Sequence, residues 1–175
     1  MRSGSKATLA ILGLLAATPL AGQQLERTQT ISFSPVLAMF EILVADYEQA
    51  LGAETTLGTG LGWWQFDEDD AATDGTHLGL DLNARFYPDR AFQGFEFGAS
   101  VGLARVGFHE DQTGEGNTAI GFTYGIEVGH AWLLGDQRRW FLGTAIGARR
   151  YWFGEEDPGL PEVMPTGRLI FGIAF

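Results

Sequence analysis

Apolar and polar residues alternate along most of this 175-residue chain with a period of two. That is the spacing of a β-strand, whose successive side chains point to opposite faces. In THLGLDLNARFY, Leu78, Leu80, Leu82, Ala84 and Phe86 fall on one face, against His77, Gly79, Asp81, Asn83, Arg85 and Tyr87. GFEFGASVGL sets Phe95, Phe97, Ala99, Val101 and Leu103 against Gly94, Glu96, Gly98, Ser100 and Gly102. TAIGFTYGIEVG sets Ile120, Phe122, Tyr124, Ile126 and Val128 against Gly121, Thr123, Gly125, Glu127 and Gly129. TTLGTGLGWW sets Leu57, Thr59, Leu61 and Trp63 against Gly58, Gly60, Gly62 and Trp64. RLIFGIAF, at the end of the chain, follows the same rule: Leu169, Phe171, Ile173 and Phe175 oppose Arg168, Ile170, Gly172 and Ala174.

Alternation alone also suits a soluble sandwich with an apolar core and a wet surface. The composition of the second face decides between the two. It combines many glycines with a single Asp, Glu or Arg per strand, and Gly weakens an exposed strand unless another group needs the space. A narrow barrel interior supplies that need, with small walls around a few ion-paired side chains and the bulky residues turned toward lipid. Short connections fall at 51–54, 88–93 and 135–137, and long polar ones at 67–75, 109–117 and 154–165. A first reversal at 36–40, either a loop or a short interfacial helix, completes the count. The prediction is an all-β fold: an eight-stranded antiparallel up-and-down transmembrane β-barrel with short periplasmic turns and longer acidic extracellular loops.

Composition agrees, with 25 Gly, 13 Phe and 5 Trp. At the N-terminus Arg2 and Lys6 precede the apolar run ATLAILGLLAA, about half the ~20 residues a membrane-spanning helix needs. Residues 1–22 are therefore predicted as a secretory signal peptide and 23–175 as one barrel domain. No Cys occurs, so an exported chain would have no disulfides. Without Arg2 and Lys6, the 11 basic residues fall to 9 against 22 acidic ones, a net charge of −13 and no lysine. Such a chain offers nucleic acid no basic footprint.

The whole mature segment resembles the small eight-stranded outer-membrane β-barrel proteins. ISFSPVLAMFEILVADYEQALG, TLGTGLGWW and GRLIFGIAF resemble a functionally uncharacterised branch of them. The resemblance implies an outer-membrane location, with membrane lipid and lipopolysaccharide as surroundings. It also implies delivery by the outer-membrane barrel assembly machinery, for which Leu169, Phe171, Ile173 and Phe175 would form the carboxy-terminal signal; the Gly usual five positions before the end is Ile170 here. Small barrel enzymes acting on lipid A use a His-x-Ser pair or His, Asp and Ser in outer loops. None of His77, His109 and His130 is followed by Ser two residues on, and the mature serines are Ser32, Ser34 and Ser100 alone. No enzymatic activity and no cofactor is expected.

Inward positions hold Asp46, Glu48, Asp81, Glu96 and Glu127, with Arg85, Arg105, Arg149 and Arg168 to face them; Arg105 joins them only through a bulge near Ala104. Acids in a cavity suit acid–base catalysis, but nearly matched acids and arginines describe a structural plug, because an ion taken from water is costly unless paired. The planar Arg fork can bind two carboxylates in a tight lumen. Trp63, Trp64, Trp132, Trp140 and Trp152 fall near strand ends, as interface anchors do. His130 is expected to face outward, with no second His at metal-ligand spacing. The long connections carry Asp67, Glu68, Asp69, Asp70, Asp74, Glu110, Asp111, Glu115, Glu155, Glu156, Asp157 and Glu162 without one Lys or Arg. This acidic rim is expected to gather divalent cations diffusely rather than in a dedicated metal site.

Overall fold

The structure, a computed structural model, describes residues 27–68, 73–110, 116–154 and 162–175. Eight strands run in chain order: β1 (Gln29–Phe33), β2 (Leu43–Ala50), β3 (Thr55–Glu68), β4 (Thr73–Phe86), β5 (Gly94–Glu110), β6 (Gly116–Leu134), β7 (Trp140–Trp152) and β8 (Val163–Ala174). One helical turn, α1 (Pro35–Ala38), lies between β1 and β2. Each strand pairs antiparallel with the next and β8 closes on β1, giving an eight-stranded up-and-down barrel. No sheet edge is left free along the closed part of the seam, where Phe175 and Gln29 exchange both backbone hydrogen bonds.

Closure requires tilt, and the register measures it. From Phe171, partners followed through β1 lead to Phe122 on β6, whereas partners followed through β7 lead to Trp132, ten residues further on. A stagger of that size inclines the strands to the barrel axis, typically by ~35–45°. It also narrows the interior to a width that side chains can fill.

The alternation of the sequence is the alternation of the wall. Leu80, Leu82, Phe97, Leu103, Ile120 and Ile173 are exposed on the outside, and Ile126 and Ile146 are each 71% exposed. Asp46, Glu48, Asp81, Arg85 and Glu96 are buried inside. The start of β1, the chain's last residue Phe175 and the three turns at 51–54, 87–93 and 135–139 lie at one end, the turn end; α1 and the opposite ends of β3 to β8 lie at the loop end.

Three expectations are corrected. The ends of the connections expected at 67–75 and 109–117 are strand, because the ladders continue through Asp67↔Asp74, Glu68↔Thr73 and His109↔Gly116. Pro165, expected in a connection, lies within β8. Arg105 is not in the lumen: Leu78↔Arg105 follows Gly79↔Ala104 without a bulge, so parity holds. Ala104 and Val106 are buried on the inside and Arg105 is exposed outside. The first reversal is the short helix. Pro35 opens it at a position where the missing N–H costs nothing, and the Ser34 hydroxyl accepts from the Leu37 N–H.

Candidate functional site

The lumen is layered along its axis. At the turn end it is closed by an apolar floor of Tyr87, Ala91, Phe92, Ala131, Phe141 and Ile170. The floor comes partly from a turn. The Tyr87 and Ala91 N–H groups donate to the carbonyls of Glu54 (2.7 Å) and Ala53 (2.6 Å), drawing residues 87–93 across the barrel mouth. Phe92, in the left-handed region at φ 66°, then inserts between Tyr87 and Phe141, with ring centroids 6.1 Å from each. Left-handed backbone at a bulky residue is costly and persists only where packing holds it.

Above the floor, Arg85 on β4 is 3% exposed and spreads its guanidinium over three carboxylates: Glu48 at 2.5 Å, Glu127 at 2.8 Å and Asp46 at 3.7 Å. Arg168 on β8 pairs with Glu96 and with Glu127 at 3.2 Å. Glu48 also accepts from the Tyr87 hydroxyl at 2.9 Å and from Thr56. Glu127 thus links the two arginines into one network spanning β2, β4, β5, β6 and β8. A forked, always-charged donor is the group that can serve three acids at once. Two guanidinium groups face four carboxyls, Asp46, Glu48, Glu96 and Glu127, and Glu96 Oε2 has no hydrogen-bond partner. A separate pair lies nearer the loop end, where Arg149 meets Asp81 at 2.9 Å and Thr123 donates to the same carboxylate at 3.2 Å.

The next layer is aromatic. Trp64 faces inward and stacks on His77, centroids 3.5 Å apart and planes within 10°, with Tyr151 edge-on to His77 at 6.1 Å. Trp64 is therefore a lumen residue rather than an interface anchor. His77 is 2% exposed and neither ring nitrogen has a hydrogen-bond partner. It faces an indole and not a serine, so it forms no nucleophile–base pair. His130 takes the outward face, against Trp132 (4.2 Å) and Phe95 (5.3 Å). Among the described residues no group of three or more His, Asp or Glu could hold a metal ion.

Of the expected network, Asp46, Glu48, Arg85, Glu96, Glu127 and Arg168 are joined, Asp81 and Arg149 stand apart, and Arg105 is absent. Leu169, Phe171, Ile173 and Phe175 share the outward face of the last strand. Of the rim, Asp69, Asp70, Asp111, Glu115, Glu155, Glu156 and Asp157 lie outside the described residues, and only the backbone positions of Asp67, Glu68, Asp74 and Glu110, on strand ends, are defined. Glu162, exposed, pairs with Arg150 at 3.0 Å. Sequence reading missed the floor. Its signal was Phe92, a large apolar residue inside a polar turn.

Fold and lumen together define a class: a closed antiparallel barrel, apolar outside and ion-paired inside. The chain belongs to a family described as "Protein of unknown function (DUF3575)", which matches residues 10–158. Among solved structures it is similar to the N-terminal β-barrel domain of Pseudomonas aeruginosa OprF, at 14% identity and a TM-score of 0.48, covering 85% of this chain and 96% of that one. No curated protein matches it.

Proposed function

We propose that this is an outer-membrane β-barrel protein with a plugged lumen, serving a structural, adhesive or interaction role through acidic loops at its loop end. The observation that carries the reading is the inverted distribution of side chains. A belt including Leu80, Leu82, Phe97, Leu103, Ile126 and Ile146 is turned outward while Arg85, Glu48 and Glu96 are sealed inside. In water that belt would be a large aggregation-prone surface; in a bilayer it is solvated. Strands satisfy this without any long apolar helix, since a closed barrel pairs its backbone groups internally.

The remaining parts follow from the same reading. Residues 1–22 are an export signal, and the outward row ending in Phe175 is the address read by the assembly machinery. Lipopolysaccharide and diffuse divalent cations are the neighbours of the acidic rim. The apolar floor and the ion network lie in series, which suits a closed barrel rather than a pore.

Cell fractionation combined with surface proteolysis tests the proposal. The expected result is a heat-modifiable band in the outer-membrane fraction, cut in intact cells only at 69–72, 111–115 or 155–161. Recovery in the soluble fraction, or cuts at the turn end, overturns it.

A further inference from the structure

The barrel wall is unequal in height. β1 has 5 residues and β2 has 8, whereas β8 has 12 and β3 has 14. The β1–β8 seam stops at Phe33↔Phe171, yet β8 continues toward the loop end to Val163, roughly 25 Å of strand with no partner on that side among the described residues.

The chemistry of the seam explains where it stops. Gln29 and Phe175 form a doubly hydrogen-bonded pair, so the pairs two and four residues on, Ile31↔Ile173 and Phe33↔Phe171, are of the same kind. The next would set Pro35 against Leu169, and Pro35 has no N–H to give. By the same phase Leu169, Gly167 and Val163 turn their backbone groups into the gap, and Pro165 between them turns a carbonyl without an N–H, as prolines on unpaired edges do. α1 sits across the foot of the gap, touching β2 and β8. Met39, just after it, is 81% exposed.

Beside this gap lies a groove of about 640 Å³ lined by Val36, Leu37, Phe95, Val128, Ile146 and Leu169, with Gly167 and the polar His130, Thr144 and Arg168 also on its wall. The groove is mainly apolar, while the adjacent strand edge presents backbone donors and acceptors that no described strand pairs. Backbone groups in hydrocarbon require partners. A second protein strand is a poor one, because Pro165 interrupts the edge after Gly167 and leaves only Leu169 and Gly167 beyond the seam with both backbone groups to give. A molecule with one short polar end and one apolar chain satisfies both surfaces.

We propose that the gap is a lateral binding site for a single-chain acyl amphiphile drawn from the bilayer. Its chain lies in the groove beside α1, and its polar head takes the free edge of β8 at Leu169 and Gly167. This rests on the membrane-barrel reading.

The test uses the full chain in phosphatidylcholine vesicles carrying a trace of a palmitate analogue with a diazirine on its chain. After irradiation, label is expected on peptides containing Leu37, Ile146 and Leu169, and excess palmitate should displace it. Gly167→Trp is the informative variant, since a Cβ there meets nothing within 4 Å and the barrel should still fold. It is expected to lower groove labelling by about tenfold, as a bulky side chain takes the volume of the buried methylenes, while labelling around Leu80 and Leu103 stays constant. Even labelling around the wall, indifference to Gly167→Trp, or crosslinks to a second copy or to 155–161 would overturn the site. Failure of the protein to float with vesicles would instead overturn the membrane reading.

Discussion

Arg85 is the side chain on which the lumen turns. It is almost wholly buried and holds three carboxylates, so removing it leaves several acids facing one another without compensation. Arg85→Ala is expected to lower resistance to urea unfolding in detergent by about 3–5 kcal/mol, the cost of breaking a buried pair from one side. Glu96→Gln should behave differently. With two arginines among four carboxyls and one Glu96 oxygen unpartnered, loss of that charge is expected to change stability by less than about 1 kcal/mol. The comparison separates an ion network from mere packing, since a packing role would make the isosteric change and the truncation differ only in volume. Phe92→Ala is expected to cost about 3–5 kcal/mol as a core cavity, measured in the same urea titration. An effect no larger than that of a surface substitution would mean that the floor does not carry stability.

At the scale of elements, the seam between first and last strands is the step that makes a barrel from a sheet. Gly172 on β8 lies against β1 so closely that an added Cβ would run into the Ile31 carbonyl and the Ser32 backbone. Gly172→Val is therefore expected to prevent closure, seen as loss of the heat-modifiable form on electrophoresis. Gly167→Val, in the stretch of the same strand that pairs with β7 alone, should retain it. The contrast has a local cause: the first glycine is clasped between strands on both sides, and a Cβ on the second faces open space. The same logic explains β1. A strand with Pro at its end cannot extend a ladder, and the chain turns into α1 instead, leaving the wall low at that point.

For the whole molecule, the floor, the ion network and the Asp81–Arg149 pair lie one behind another across the lumen. An eight-stranded barrel has an interior that side chains can fill, so planar-bilayer recordings are expected to show no large, stable conductance. Steady opening at low voltage would contradict the plug. Removal of Phe92 is the change expected to raise conductance first, because it opens the floor, which is held in part by a turn rather than by the wall.

The alternation, its two faces and the inside location of Asp46, Glu48, Asp81, Arg85, Glu96, Glu127, Arg149 and Arg168 were legible in the chain, since a period of two needs only local geometry. Glycine on one face and Leu, Ile and Phe on the other told which side was out, because burial and lipid contact select opposite side chains. Ladder continuity was not legible, and Arg105 shows why: parity can be reset by a bulge, and only the pairing of β5 with β4 and β6 reveals that none is present. Nor could the sequence say that Phe92 enters the barrel mouth, that Trp64 meets His77, or that Glu127 joins two arginines on different strands. These contacts depend on a stagger of ten residues around the closed wall, a property of the pairing of all eight strands that no single segment encodes.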